Sequence, residues 1–191
     1  KKPSVIIANH NSSLDTLALG MVTHKIVYLV NDWVYKSPFF GRLVKDLGFF
    51  PVSQGIENGI DKLQEKIDQG YSLMVFPEAE RSMDNDVKRF HKGDFYLAEK
   101  YGLDILPIYI HGNSEVMPKG DLFIHDGAIT VKVGERISKD NKNFGENYSE
   151  RTKKINAEFR KNFALFRSEA EDENYFSEMV IRSFMFKENE I

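Results

Sequence analysis

The sequence predicts an α/β domain, a mixed and largely parallel sheet flanked by helices, with a C-terminal helical extension. Three observations carry that prediction. Short apolar or β-branched runs alternate with segments of helical periodicity, the rhythm of β-then-α units on one sheet. A chain of 191 residues with 41% hydrophobic residues has the length of one domain, or of one domain with a short appendage, and the material for a sizeable core. From Tyr148 onward the pattern changes to aromatic and apolar residues at helical spacing in a highly charged segment.

The elements follow in order. Val5-Ile6-Ile7-Ala8 is a continuous apolar run, as a strand buried on both faces requires. A helix is expected from about Ser12 to Val22, because Ser12-x-x-Asp15 has the spacing of a capping box just ahead of Leu17, Ala18 and Leu19. Lys25 to Val30 reads as the next strand. Ser37 to Leu47 reads as a helix with Pro38 near its first turn, where a missing amide is tolerated, and Gly48 ends it. Ile60, Leu63 and Ile67 are spaced for one buried helix face, and Gly70 is the expected stop.

Ser72 to Phe76 is a strand ending at Pro77, Phe95 to Tyr101 a short helix, and Ile105 to Ile110 and Ile129 to Val133 two further strands. Ile155, Phe159, Phe163 and Phe166 predict a terminal helix that docks its apolar stripe on the core. The alternative for that stripe is a membrane surface or a missing part of a longer parent chain. The acidic stretch 168–175 reads as a solvated linker, and Met179, Val180 and Phe184 as a helix whose partner is not visible.

Composition removes several classes. A net charge of −3 and the lack of a basic arm give no reason to expect a nucleic-acid partner. With no cysteine there is no disulfide, thiolate nucleophile or cysteine-ligated metal. No apolar run approaches the ~18 residues of a membrane span, and no segment resembles a signal peptide. The chain starts at Lys1 without methionine and enters a strand at once, so a fragment of a longer polypeptide is expected. His24, His91, His111 and His125 show no metal-binding spacing and read as loop or surface histidines, and no metal site is expected.

Ligands of open α/β sheets gather beyond the carboxyl ends of strands. Ala8-Asn9-His10-Asn11-Ser12-Ser13-Leu14-Asp15 occupies that place after the first strand, and Phe76-Pro77-Glu78-Ala79-Glu80-Arg81-Ser82 after the strand that begins at Ser72. Positions five apart do not share a helix face. A His10–Asp15 hydrogen bond therefore requires His10 ahead of the helix and Asp15 in its first turn, the geometry that Ser12 as N-cap supplies. Free amides at the helix start would also suit a developing oxyanion. Glu78 and Arg81 read either as a structural ion pair or as a guanidinium placed to grip a phosphate or carboxylate.

Together the two segments resemble the glycerolipid acyltransferase family, of the lysophosphatidic acid acyltransferase (1-acylglycerol-3-phosphate O-acyltransferase) type. Asn9-His10-x-Ser12-x-x-Asp15 is similar to the family's NHxSxxD motif, and FPEAERS to its FPEGTRS. Lys36-Ser-Pro-Phe-Phe-Gly41, Gly48-Phe-Phe-Pro-Val, Phe90-x-Lys92-Gly93 and the strand from Ile105 (ILPIYI) extend the likeness from about Val5 to Ile137.

The resemblance implies a glycerolipid acyltransferase-like fold and an enzyme of phospholipid biosynthesis. It would transfer a fatty acyl group from acyl-CoA or acyl carrier protein to a hydroxyl of a lysophospholipid or related lipid acceptor. His10 would act as general base and Asp15 would fix its tautomer. Asn9, Ser12, Lys36, Glu78, Arg81, Ser82, Lys92 and Gly93 fall at substrate-binding positions. No cofactor is implied beyond the thioester co-substrate. An acyltransferase domain is expected over 1–147 and the helical extension over 148–191. Peripheral contact with the cytoplasmic face of a membrane is expected, through Trp33, Tyr35, Phe39 and Phe40 beside Lys36 and Arg42 or through flanking segments; packing of these aromatics in the core beside the acyl chain is the alternative reading.

Three departures bear on the acceptor. Ser53-Gln54 stands where the family often has Asp-Arg, Ala79 replaces a glycine, and Glu80 replaces a threonine beside the expected anion site. They leave room for a zwitterionic lysolipid or an acylated amino acid with a free hydroxyl, and they motivate an alternative, a catalytically degenerate domain that binds lipid or a partner. A serine hydrolase built from Ser12 or Ser13 lacks a nucleophile elbow.

Overall fold

A computed structural model describes residues 2–30, 32–38, 41–46, 48–51, 60–81, 86–121, 123–171 and Tyr175. In chain order the elements are β1 (Ser4–Ala8), α1 (Asp15–Gly20), β2 (Ile26–Val30), α2 (Asp32–Tyr35), α3 (Gly41–Asp46), β3 (Phe50–Pro51) and α4 (Ile60–Asp68). There follow β4 (Ser72–Val75), α5 (Gly93–Lys100), β5 (Asp104–His111), α6 (Asn113–Val116), β6 (Thr130–Val133), a 3-10 turn (Lys142–Phe144) and α7 (Tyr148–Ala170).

The strands form one six-stranded sheet in the order β3-β2-β4-β1-β5-β6. Among the described strands only β6 runs antiparallel, with Tyr109 opposite Lys132, so the sheet is mixed and largely parallel as expected. In the centre, Ile6 of β1 lies opposite Met74 of β4 and Leu106 of β5.

Alternation along β1 splits the core into two layers. Val5 and Ile7 face a large cluster built with Leu63 and Ile67 of α4, Phe95 and Leu97 of α5, and Ile155, Phe159, Phe163 and Phe166 of α7. Ile6 and Ala8 face a smaller one with Leu19 of α1, Met74, Ile108 and Ile110. The chain thus leaves β1 for α1 on one face and leaves β4 for α5 on the other. That is a topological switch point, the place beyond the carboxyl ends of neighbouring strands where open α/β sheets form their ligand crevice.

Several expected boundaries shift. α1 is shorter than its predicted span at both ends, because Ser13 and Leu14 form a turn and Met21 closes the helix. The helix expected over 37–47 is α3 alone among the described residues, preceded by a separate α2. A Cβ on Gly41 would lie 2.7 Å from the Tyr35 carbonyl oxygen, so the close α2–α3 junction needs glycine. Gly70 adopts a φ of +87° and stops α4 as predicted.

The aromatic stripe of α7 docks on the core, with Ile155 and Phe159 each 1% exposed. Asn147 caps this helix by accepting from the Ser149 and Glu150 amides. The solvated linker expected over 168–175 is overturned at its start. α7 continues to Ala170, and Glu171 turns in to accept from His111 Nε2 at 2.8 Å and from Arg167 Nε at 2.8 Å. His111 is accordingly buried, not the surface histidine expected, with the Tyr175 ring 5.4 Å away. Met179, Val180 and Phe184 lie outside the described residues.

Candidate active site

The crevice is furnished by two turns, one after β1 and one after β4. His10 leaves the end of β1 and stacks on Phe76, with ring centroids 4.1 Å apart and planes 17° from parallel. Its Nδ1 donates to Asp15 Oδ2 at 2.7 Å. Asp15 is the first residue of α1, so the His-ahead-of-helix geometry expected from the five-residue spacing is present.

The Asp15 carboxylate is fully buried, whereas 22% of the His10 side chain is exposed. A buried charge needs donors, and four converge on this one. Oδ2 accepts from His10 Nδ1 and from the amides of Asn11 at 2.9 Å and Ser12 at 3.1 Å, while Oδ1 accepts from Nδ2 of Asn113. A carboxylate that already accepts two amides also accepts at His10. The ring proton therefore sits on Nδ1, and Nε2 keeps its lone pair with no protein partner among the described residues.

The capping box is present in modified form. Asp15 reaches back to the Ser12 amide, but the Ser12 hydroxyl accepts from Leu14 at 3.3 Å and donates to the Met117 carbonyl at 2.8 Å. Four of the amides at the helix start are already engaged and not free for an oxyanion. The Asn11 and Ser12 amides are taken by Asp15, Leu14 by the Ser12 hydroxyl, and Asp15 by the Ser12 carbonyl.

Asn9 is spliced into the sheet. Its Nδ2 donates to the Ile110 carbonyl at 2.8 Å and its Oδ1 accepts from the Ile110 amide at 2.9 Å, so its side chain continues the β1–β5 ladder and aims the turn that follows.

The second turn is tied to the first by a carboxylate. Glu78 Oε1 accepts from the His10 amide at 2.9 Å and Oε2 from the Lys88 amide at 2.6 Å. Burial pushes the Glu78 carboxyl above the usual range, and the two amide hydrogen bonds only partly offset this. No ion pair joins Glu78 to Arg81 among the described residues, which removes the structural-pair reading. Arg81 Nη1 instead donates to the Ser13 hydroxyl at 2.8 Å, across the mouth between the turns.

Lys119 Nζ donates to the Arg81 carbonyl at 3.1 Å and brings a second cation to that edge. Ala79 holds a φ of +61°, a left-handed conformation that glycine adopts more easily. Glu80 beside it is exposed to solvent.

The other predicted substrate residues are placed less closely. Lys92 and Gly93 open α5, whose entry is fastened to the second turn by the His91 amide on the Pro77 carbonyl at 2.7 Å. Lys36 is exposed just after α2. Neither the Lys36 nor the Lys92 ammonium is hydrogen-bonded to His10, Asp15, Glu78 or Arg81. Ser82, Ser53, Gln54, Phe39 and Phe40 lie outside the described residues. Tyr35, expected at a lipid interface, carries the Lys45 ammonium 5.0 Å from its ring centre.

Sequence reasoning missed Asn113, Lys119 and the burial of His111. All three follow β5 or lie at its end, and their one linear signal was that β5, like β1 and β4, ends at the crevice. A separate cavity of about 440 Å³ between β5, β6 and α7, lined by Tyr109, Phe159 and Leu165 among others, does not include His10 or Arg81.

The chain is similar to known proteins. The family model described as Acyltransferase matches residues 1–111, more than half of the 191-residue chain. The chloroplastic 1-acyl-sn-glycerol-3-phosphate acyltransferase of Arabidopsis thaliana is 30% identical over 140 residues, covering 71% of this chain and 39% of that protein. The 1-acyl-sn-glycerol-3-phosphate acyltransferase of Saccharomyces cerevisiae is 31% identical over 150 residues, covering 74% of this chain and 49% of that one. The chain therefore spans about half or less of the length of these curated relatives.

The crystal structure of the 1-acyl-sn-glycerophosphate acyltransferase PlsC from Thermotoga maritima superposes with a TM-score of 0.70 at 24% identity, over 87% of this chain and 67% of that one. That likeness speaks for the fold. With both turns of the crevice inside the matched residues, this chain belongs to the acyltransferase family.

Proposed function

We propose that the chain carries the catalytic unit of an O-acyltransferase. It moves a fatty acyl group from a thioester, acyl-CoA or acyl carrier protein, to a hydroxyl of a lysophospholipid or related lipid acceptor. The observation that carries this reading is the His10–Asp15 pair, with Nδ1 held at 2.7 Å by a buried carboxylate and Nε2 left with its lone pair.

The acceptor hydroxyl gives its proton to His10 Nε2 as its oxygen attacks the thioester carbonyl. The tetrahedral adduct collapses, the C–S bond breaks, and the departing sulfur takes the proton back from the imidazolium. Asp15 keeps the proton on Nδ1 and compensates the transient positive charge. No covalent acyl-enzyme and no cofactor enter this scheme.

Arg81, braced on Ser13 and neighboured by Lys119, supports recognition of an anionic headgroup at the mouth of the crevice. Glu78 acts by holding the backbone of His10 rather than by touching the acceptor. Lys36, Ser82, Lys92 and Gly93 remain substrate-binding assignments by resemblance.

No helix among the described residues is long and apolar enough to cross a membrane. Leu17 on α1, Met21 just after it, and Phe123 and Ile124 beyond Met117 are exposed apolar side chains on segments joined to the His10 turn. They support peripheral contact with a membrane, alone or together with flanking segments, while the cytoplasmic face rests on the resemblance alone.

The test is thiol release from acyl-CoA and acyl carrier protein with a panel of lysophosphatidate, zwitterionic lysolipids and hydroxylated amino-acid lipids. Acceptor-dependent release supports the reading and identifies the acceptor class. Free fatty acid without acceptor supports hydrolysis instead. Lipid binding with no release from any pair supports the degenerate, lipid-binding alternative.

A further inference from the structure

We propose that Asn113 is a positioning residue for the His10–Asp15 pair. It holds the Asp15 carboxylate in the rotation that presents Oδ2 to His10 Nδ1. The proposal deepens the general-base reading of His10 and rests on it.

The two oxygens of Asp15 are served unequally. Oδ2 takes His10 and two amides of its own turn, all within five residues of sequence. Oδ1 takes Asn113 Nδ2, which arrives from the first residue of α6, beyond the end of β5. A carboxylate with donors on one oxygen only can swing about its Cβ–Cγ bond. A donor fixed on the second oxygen removes that freedom and orients the ring that the first oxygen holds.

The amide orientation follows from chemistry. Turned the other way, Asn113 would set its carbonyl oxygen against a carboxylate, so Nδ2 must face Asp15. Asn113 is 1% exposed, and its Oδ1 has no protein partner among the described residues. A purely structural asparagine would use both ends of its amide, since an orphaned buried acceptor is costly. Here the side chain is committed through its donor end to Asp15.

The backbone delivering it is tightly constrained. Gly112 turns from β5 into α6 at a φ of +84°, where a Cβ would lie 1.9 Å from the Ala128 carbonyl oxygen. Two residues earlier in this segment, Ile110 is bonded on both its polar backbone groups to the Asn9 side chain. The donor and the turn it serves are therefore fastened together at two points.

The charged groups around the pair are His10 itself, Glu78 on the His10 amide, Arg81 on Ser13, Lys119 on the Arg81 carbonyl, and His111 and Glu115 flanking Asn113 in sequence. Of these, only His10 touches Asp15 among the described residues.

The experiment combines kinetics with nitrogen-15 NMR of the His10 ring in wild type, Asn113→Ala, Asn113→Asp and His10→Ala. Asn113→Ala is expected to lower kcat by ~10–100-fold with KM changed less than about twofold, and to mix the His10 tautomers. In Asn113→Asp the two adjacent carboxyls share one proton at lower pH, and the new carboxyl donates as the amide did. Its rate should match wild type there and fall as pH rises and the shared proton is lost, a decline that wild type does not show.

Unchanged kcat, tautomer and pH profile in the Asn113 variants, with His10→Ala inactive, overturns the proposal and leaves the general-base reading standing. Full activity in His10→Ala overturns that reading instead, while the ring spectra still decide whether Asn113 orients the pair. If Asn113→Ala does not fold, the near-isosteric Asn113→Asp decides by its pH profile and spectrum.

Discussion

Glu78, at the exit of β4, accepts the backbone amide of His10, at the exit of β1, at 2.9 Å. The strand next door thus holds the main chain that carries the candidate base. The same carboxylate holds the Lys88 amide, so one buried side chain spans three segments: the His10 turn, its own turn and the approach to α5.

Glu78→Gln keeps the shape but offers only one acceptor oxygen to two amides. One amide is left facing an NH₂ group, at a cost of about 1–3 kcal/mol. Urea unfolding should show that loss. Acyl-transfer kcat should fall by more than the His10 ring spectrum alone would predict, because the whole turn is released.

Ala79→Gly should act in the opposite direction. A left-handed φ of +61° strains an alanine by ~1–2 kcal/mol, and glycine removes the strain while adding some unfolded-state entropy. The expected net gain is up to about 1 kcal/mol in unfolding free energy, measured by denaturant titration, with the Arg81–Ser13 hydrogen bond preserved.

These two residues mark what could be read from sequence and what could not. The two turns, their places after β1 and β4, and the His10–Asp15 geometry were legible because each is a local pattern attached to a strand end. The replacement at Ala79 was visible as a departure, but its positive φ was not. What Glu78 grips was hidden, because the pairing of β1 with β4 across a long sequence separation brings it to His10. Asn113 and His111 were hidden for the same reason: β5 lies on the other side of β1, and no spacing in the chain encodes that order. The acidic run after Ser168 misled because charge normally marks solvent exposure, whereas Glu171 is drawn inward by His111 and Arg167.

Burial alone would raise the Glu171 carboxyl, but the hydrogen bonds and charges of His111 and Arg167 outweigh it and hold the group below the usual carboxylate range. A depressed folded value means that the stabilisation is complete above the unfolded pKa and is lost as pH falls through the folded one. Glu171→Gln should therefore cost roughly 1–3 kcal/mol near neutrality. The gap between variant and wild type should close as unfolding is repeated below about pH 4. A constant gap at all pH values would show that the charge of Glu171 does not matter to the contact.

In the proposed mechanism His10 takes the proton from the acceptor hydroxyl. Acceptor-dependent thiol release by wild type and by folded His10→Ala, assayed side by side on the best donor–acceptor pair, tests it most directly. General-base catalysis by His10 predicts a fall of ~10²–10⁴-fold in kcat, the usual contribution of a positioned general base. Equal rates in the two proteins would contradict it.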